Sequence, residues 1–136
     1  MLSKIVEVFM GCDKGPRFAS TMLFGAPFDS TTSYRPGTRF GSAAIRHESY
    51  GIESYSPYQD KDLEDANVID LGDLELCFGD VNTALERIEE RTRHDLHASK
   101  RPFMLGGQHL VTLGACRAVS DMSPPVHINL FSSHPH

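Results

Sequence analysis

The sequence has little that would cross-link the chain, anchor it in a membrane or attract a polyanion. Its three cysteines are widely spaced and form no C-x-x-C pair, which favours reduced thiols over a disulfide framework or a zinc cluster. No apolar run is long enough to span a bilayer, and no small-residue cleavage site follows residues 5–10. The net charge of -5 and the pI near 5.7 argue against a nucleic-acid surface. We therefore expect a cytoplasmic protein that binds neither membranes nor nucleic acid.

Two frequent catalytic motifs are also missing. The sequence contains no G-x-S-x-G elbow, and its cysteines have no identifiable partner for a nucleophilic triad. Gly106 and Gly107 lack the lysine and the further glycine spacing of a phosphate-binding loop. The chain of 136 residues is long enough for one domain with a core and too short for two ordinary ones.

Short apolar runs alternate with helical patterns along the chain. The runs predict strands at residues 21–25, 67–71, 102–106 and 126–131. Helices are predicted over about 42–50, over 81–99, and through Leu113 to Val119. Asp80 should cap the second helix, on which Glu89 and Arg93 stand four residues apart. Residues 1–18 are interpreted as an irregular arm and residues 60–65 as a solvated connector. This alternation predicts an α/β fold with a parallel sheet.

Six acidic or histidine residues follow the predicted strands at one end of this sheet, where ligands of open α/β sheets bind. Carboxylates and imidazoles at one rim could bind divalent ions, and two bridged ions could hold a hydroxide for hydrolysis. Loop capping is the preferred interpretation of Asp70 and Asp73. For His109, both a metal-binding and a structural role stay open. The exposed-face pair His94 and His97 is interpreted as solvated, because no glutamate completes a zinc motif. The six residues are Asp29, Asp70, Asp73, His109, His134 and His136.

Several segments together resemble one protein family. They are Gly-Ala-Pro-Phe-Asp at 25–29, Ser-Tyr-Arg-Pro-Gly-Thr-Arg-Phe-Gly at 33–41, Ala-Ile-Arg at 44–46, Asp-Leu-Gly-Asp at 70–73 and Leu-Gly-Gly-Gln-His at 105–109. From about residue 20 to about residue 131, the sequence resembles the ureohydrolases, the arginase and agmatinase family, and the agmatinases most of all.

This resemblance implies a three-layer α/β/α, arginase-like parallel sheet, of which residues 1–136 would form the incomplete N-terminal portion of a single domain. It also implies two manganese ions (Mn²⁺), a cytoplasmic homo-oligomer and a place in polyamine biosynthesis. The implied reaction is hydrolysis of the guanidino group of agmatine, or of a related guanidino compound, to putrescine and urea. His109 would be a ligand of one manganese ion.

The sequence departs from the family at the second metal motif. The family's D-A-H-x-D aligns with Ser-Ser-His-Pro-His at 132–136, so that His134 is kept and His136 replaces an aspartate. The candidate metal ligands are therefore His109, His134 and His136, while Gln108 replaces an acidic residue beside the first of them. Two alternatives to a manganese-dependent agmatinase stay open. One is a catalytically inactive, truncated or frame-shifted fragment without most metal ligands, and the other is a small histidine-containing metal binder.

Overall fold

The computed structural model describes residues 1–2, 7–122 and 126–131. It contains two short 3-10 turns, at Thr38–Phe40 and at Leu63–Asp65. The strands and α-helices of the described chain follow one another as β1 (Thr21–Ala26), α1 (Gly41–Ser49), β2 (Tyr55–Ser56), β3 (Lys61–Asp62), β4 (Val68–Asp73), α2 (Val81–His97), β5 (Arg101–Gly106) and α3 (Val111–Ser120).

The three longer strands form a parallel sheet in the order β4-β1-β5. Thr21 at the start of the central strand lies opposite Val68 on one side and Arg101 on the other. The prediction of an α/β fold with a parallel sheet is thus confirmed, and three of its predicted strands and all three predicted helices are present. Since the strands run in one direction, the loops after them emerge at the same edge.

The core lies between one face of the sheet and the two later helices. Phe24 and Ala26 of β1 pack with Ile88 of α2 and Val111 of α3 in one buried cluster. Gly114 lets the two helices approach closely, because a Cβ there would lie 2.8 Å from the carbonyl oxygen of Leu85. Alternate residues of each strand point to the opposite face, where Ile45 of α1 lies near Leu23 and Phe103. Helices therefore contact both faces of the sheet.

Helix α2 begins and is stabilised as its sequence predicts. The carboxylate of Asp80 accepts a hydrogen bond from the backbone N–H of Thr83 at 3.1 Å. On the solvent side, Arg93 and Glu89 form an ion pair at 2.7 Å. Both expectations are confirmed, and the capping by Asp80 explains why the helix begins at Val81.

The N-terminal arm runs along the outer edge of β4. The backbone N–H of Asp70 donates to the carbonyl oxygen of Cys12 at 2.7 Å, and Asp13 forms an antiparallel bridge with Ile69. The arm contains no helix or extended strand in its described part, in agreement with the prediction of an irregular segment. It nevertheless covers backbone groups that an edge strand would otherwise leave unpaired.

One expectation about local structure is wrong, and a second is incomplete. Residues 126–131 were predicted as a strand but belong to none, and Ile128 and Phe131 are 61% and 94% exposed. A strand needs a neighbour for its backbone groups, and in the described chain β5 pairs only with β1. The connector at 60–65 is exposed as expected but contains β3, which pairs with β2 in a small antiparallel hairpin. Among the described residues, no helix combines the length and apolar character needed to cross a bilayer.

Candidate functional site

The loops that follow β1 and β5 are joined through their backbones at the carboxyl edge of the sheet. The N–H of Gln108 donates to the carbonyl oxygen of Phe28 at 2.8 Å. Gly107 makes this approach possible, because a Cβ at this position would lie only 2.3 Å from the same oxygen. The second glycine of the Gly-Gly pair is therefore required by the contact between the two loops.

The side chain of Gln108 adds a second connection between the two loops. Its Oε1 accepts hydrogen bonds from the N–H of Thr31 at 3.3 Å and from the hydroxyl of Thr32 at 3.1 Å. Its Nε2 donates to the hydroxyl oxygen of Thr31. The amide thus uses both its donor and its acceptor, and it fixes the backbone immediately before His109.

His109 lies at the rim of the sheet, one residue before the N-cap of α3. The residue is exposed, and its carbonyl oxygen accepts the N–H of Thr112 at 3.2 Å. A histidine on a loop that is fixed on both sides is suitably placed to present an imidazole nitrogen to a ligand. Its position agrees with the expectation that it follows the third strand of the sheet.

Asp29 follows β1 but is occupied by hydrogen bonds within its own loop. Its Oδ2 accepts from the N–H of Gly37 at 2.7 Å, and its Oδ1 accepts from the guanidinium of Arg39 at 3.1 Å. Burial would raise the pKa of Asp29, but the hydrogen bonds from Arg39 and Gly37 outweigh that effect and hold the pKa below its ordinary value. The carboxylate therefore organises the loop at residues 29–39.

Asp70 and Asp73 are bound by one buried arginine. The Nε and Nη2 atoms of Arg46 lie 2.7 Å and 3.0 Å from the two oxygens of Asp70, and its Nη1 lies 2.6 Å from Asp73. Asp70 also accepts the N–H of Gly72 at 2.9 Å, but Asp70 and Asp73 both lie within β4, so the expectation that they cap a loop after the strand is wrong. Asp73 accepts the hydroxyl of Ser42 at 3.1 Å.

Arg46 is the residue that the sequence interpretation missed. The buried positions of α1 are Ser42, Arg46 and Ser49, spaced four and three residues apart, whereas its isoleucine is exposed. This spacing marks the inner face of a helix. A buried arginine requires carboxylates opposite it, but only the folded chain shows that this polar face of α1 is the buried one.

Gly25 of β1 makes room for the second of these carboxylates. A Cβ at this position would lie 1.9 Å from Oδ1 of Asp73 and 2.9 Å from the Cβ of Ser42. The glycine, the helix and the Asp-x-Gly-Asp segment therefore depend on one another, although they lie up to 48 residues apart in the sequence.

The predicted metal site is not assembled within the described part of the chain. No group of three or more histidine, cysteine or acidic side chains lies close enough there to hold a metal ion. The three aspartates of the predicted rim bind arginines, and His94 and His97 are exposed on α2. His134 and His136 lie outside the described residues, so their predicted role is not tested. The donors described here, with His109 as their single candidate ligand, do not fit a centre of two manganese ions.

The parallel sheet and the helices on both of its faces define an α/β protein. The sequence profile of the Arginase family matches residues 19–135. The chain belongs to the arginase family.

Individual relatives agree with this assignment. The chain is 44% identical to the agmatinase of Bacillus subtilis (strain 168) over 116 residues, which cover 85% of this chain and 40% of that protein. The structure of the agmatine ureohydrolase of Thermoplasma volcanium matches it with a TM-score of 0.79 at 34% identity, covering 85% of this chain and 39% of the other. Proclavaminate amidinohydrolase from Streptomyces clavuligerus matches with a TM-score of 0.74 at 33% identity, over 87% and 40% of the two chains. The chain spans about two fifths of the length of these relatives.

Proposed function

We propose that this chain is the N-terminal portion of an agmatinase-like ureohydrolase domain. The complete domain would hydrolyse the guanidino group of agmatine in a manganese-dependent reaction. One water is consumed, the bond between the guanidino carbon and the chain nitrogen breaks, and putrescine and urea are released. The observation that carries the proposal is the match to the agmatine ureohydrolase of Thermoplasma volcanium, which extends over 85% of this chain.

The loop that carries His109 supports the same proposal at the level of individual residues. Gly107 and Gln108 hold this loop against the loop after β1, so the imidazole is attached to a fixed point at the carboxyl edge. We propose His109 as a manganese ligand, with His134 and His136 as further candidates, because neutral imidazole is a suitable donor for transition-metal ions. In this proposal, the fold around the site is stabilised by Asp29, Asp70 and Asp73.

The second candidate function is that of a catalytically inactive fragment, and one observation favours it for the 136-residue chain alone. The described residues supply a single candidate ligand and no free pair of carboxylates beside it. Each preorganised electrostatic group is worth on the order of 3 kcal/mol of barrier. We therefore expect the chain by itself to release no measurable urea from agmatine.

The test joins this chain to the C-terminal portion of the Bacillus subtilis agmatinase, beginning where the matched segment ends. With manganese present, the joined protein should release urea and putrescine from agmatine in equal amounts. His109→Ala should abolish this activity, and His97→Ala, at an exposed position on α2, should retain it. A soluble joined protein without activity would contradict the proposed function, as would urea release that does not depend on His109.

The 136-residue chain alone provides the second arm of this test. Urea release that requires manganese and is lost in His109→Ala would mean that the chain is a complete catalyst, and it would overturn the proposal of an incomplete domain. Manganese binding is measured separately, from the signal of free Mn²⁺ in electron paramagnetic resonance, and His109→Ala should weaken it.

A further inference from the structure

A cleft of about 440 Å³ lies at the carboxyl edge of the sheet, on the side of β4. It is lined by Pro27 after β1, by Phe40 directly before α1, and by Glu75 and Phe78 after β4. His109 follows β5, which pairs with the other side of β1. The cleft is therefore separate from the candidate site around His109, and its volume falls within the range of about 300–1,000 Å³ that is usual for small-molecule sites.

Arg39 contributes hydrogen-bond donors to this cleft that the described chain does not use. Its Nη1 binds Asp29, at 3.1 Å and 3.4 Å from the two carboxylate oxygens. Its Nε and Nη2 donate to no group of the described residues, whereas all three nitrogen atoms of Arg46 bind carboxylates. Because Asp29 holds the guanidinium in place, the remaining donors of Arg39 have a fixed position. Together they match the two oxygens of a carboxylate.

Two exposed aromatic rings lie beside this guanidinium. Its central carbon is 4.6 Å from the centre of the Phe40 ring and 5.5 Å from the centre of the Phe78 ring. The two phenylalanines are 60% and 66% exposed, although each contacts the guanidinium. The cleft therefore presents apolar ring surface directly beside the available donors of Arg39, and an aromatic group of a ligand could pack on that surface.

Glu75 brings a charge of the opposite sign to the same cleft. Its side chain is exposed, and its carboxylate has no hydrogen-bond or ion-pair partner among the residues that the structure describes. Glu75 and Arg39 line one cleft but form no ion pair with each other. Asp73 also lines the cleft, but it is bound by Arg46 and Ser42. The arrangement therefore leaves room between a positive and a negative group for a ligand that carries both charges.

We propose that this cleft binds a free amino acid with an aromatic side chain. The ligand carboxylate accepts hydrogen bonds from Nε and Nη2 of Arg39, and the ligand ammonium group pairs with Glu75. The ligand ring packs on Phe40 and Phe78. A carboxylate alone is a poorer ligand, because Asp29 already offsets the charge of Arg39 and Glu75 repels an anion. An amine alone leaves the donors of Arg39 unused. The inference does not depend on the proposed ureohydrolase activity.

Isothermal titration calorimetry of the 136-residue chain tests the proposal with three compounds that differ by one charged group. They are L-phenylalanine, 3-phenylpropanoate, which lacks the ammonium group, and 2-phenylethylamine, which lacks the carboxylate. We expect L-phenylalanine to bind at least about tenfold more tightly than either of the others. Equal affinities for the three compounds, or no binding of L-phenylalanine at millimolar concentration, would overturn the proposal.

Two substitutions at exposed positions assign the binding to this cleft. Glu75→Gln should weaken the binding of L-phenylalanine about tenfold without weakening that of 3-phenylpropanoate, because only the first ligand has an ammonium group. Phe78→Ala should weaken the binding of all three compounds severalfold. Tyr58→Ala is the control, since Tyr58 is 98% exposed and does not line the cleft. Unchanged affinity for L-phenylalanine in either cleft variant would overturn the proposal. Arg39 itself is left in place, because it also holds the loop through Asp29.

Discussion

The guanidinium of Arg46 on α1 binds the carboxylate of Asp70 on β4 at two points, with N···O distances of 2.7 Å and 3.0 Å. The two side chains are 5% and 0% exposed. Burial would lower the pKa of Arg46, but its hydrogen bonds to Asp70 and Asp73 outweigh that effect and raise the pKa. The charged pair therefore holds α1 against β4, although the two residues are 24 positions apart in the sequence.

Replacing Arg46 by methionine should destabilise the chain strongly. The substitution keeps most of the side-chain volume but leaves the carboxylate of Asp70 buried without its cation, and breaking a buried pair in this way costs about 3–5 kcal/mol. Urea unfolding followed by circular dichroism measures the loss. The stability of Arg46→Lys should lie between those of the unmodified chain and Arg46→Met, because an ammonium group keeps the charge but cannot make the two-point contact.

The control for this prediction is Arg17→Met at an exposed position. Such surface substitutions usually change stability by less than about 0.5 kcal/mol. If Arg46→Met cost no more than Arg17→Met, the ion pair would not be what holds α1 on the sheet.

Gly107→Ala should damage the loop that carries His109. The added Cβ would lie 2.3 Å from the carbonyl oxygen and 2.7 Å from the nitrogen of Phe28. Backbone atoms cannot rotate away as a side chain can, so we expect a loss of about 1–3 kcal/mol, as for other overpacked sites. A thermal melt measures the effect, and the joined protein should also bind manganese more weakly.

Gly41→Ala is the matched control for this substitution. Its nearest contact would be the carbonyl oxygen of Gly106 at an ordinary distance of 3.7 Å, and Gly41 has helical backbone angles. Alanine at such a site stabilises by up to about 1 kcal/mol. If the two variants were equally stable, the loop would have moved to accommodate the added Cβ without a loss of stability, and the position of His109 would not be fixed.

Alkylation of Cys12 should be far slower than that of Cys77. Burial first, and then the charges of Asp70 and Asp13, raise the pKa of Cys12 to about 11. At pH 8 about one such thiol in a thousand is ionised, compared with roughly a quarter of thiols that have the ordinary pKa of about 8.5. Treatment with iodoacetamide and mass spectrometry of the two peptides measure both rates in one sample, with the exposed Cys77 as internal reference. Similar rates would show that the arm leaves the edge of β4 frequently.

The sequence predicts those parts of the fold that depend on local patterns. Apolar runs identify β1, β4 and β5, and a capping aspartate marks the start of α2, because these signals are carried by neighbouring residues. The run at 126–131 is also largely apolar but is not a strand. An apolar run indicates that a segment can be buried, whereas a strand also requires backbone pairing, and residues 126–131 pair with no strand of the described chain. The hairpin of β2 and β3 was missed because each strand has only two residues.

The contacts of the candidate site join residues that are far apart in the sequence, and the sequence does not predict them. Spacing predicts that Asp29, Asp70, Asp73 and His109 follow strands and share a rim, whereas Asp70 and Asp73 lie within β4. It does not reveal that the three carboxylates are taken up by Arg39 and Arg46, since those contacts depend on how the helix and the loop pack. The close approach at Gly107 is likewise visible only in the folded chain. Sequence therefore identifies the residues with suitable chemistry, and packing decides which of them remain available to a ligand.

The ion pair of Asp29 and Arg39 should make stability depend on pH in the acidic range. Burial acts to raise the pKa of Asp29, but the hydrogen bonds from Arg39 and Gly37 hold it below the ordinary value. Because the pKa is lower in the folded state, the ionised carboxylate stabilises the fold at pH values above the unfolded pKa of about 3.9. This contribution is lost as the pH falls through the folded pKa.

Asp29→Asn, which cannot ionise, isolates this contribution. The difference in free energy of unfolding between the unmodified chain and Asp29→Asn should be constant from about pH 7 to about pH 5 and should shrink below about pH 4. In the background of Arg39→Met, the same comparison should show a smaller pH dependence, because the largest of the interactions that lower the pKa is gone. Chemical unfolding at a series of pH values provides the measurement. A difference that stays the same down to pH 2 in both backgrounds would mean that the charge of Asp29 does not stabilise the loop.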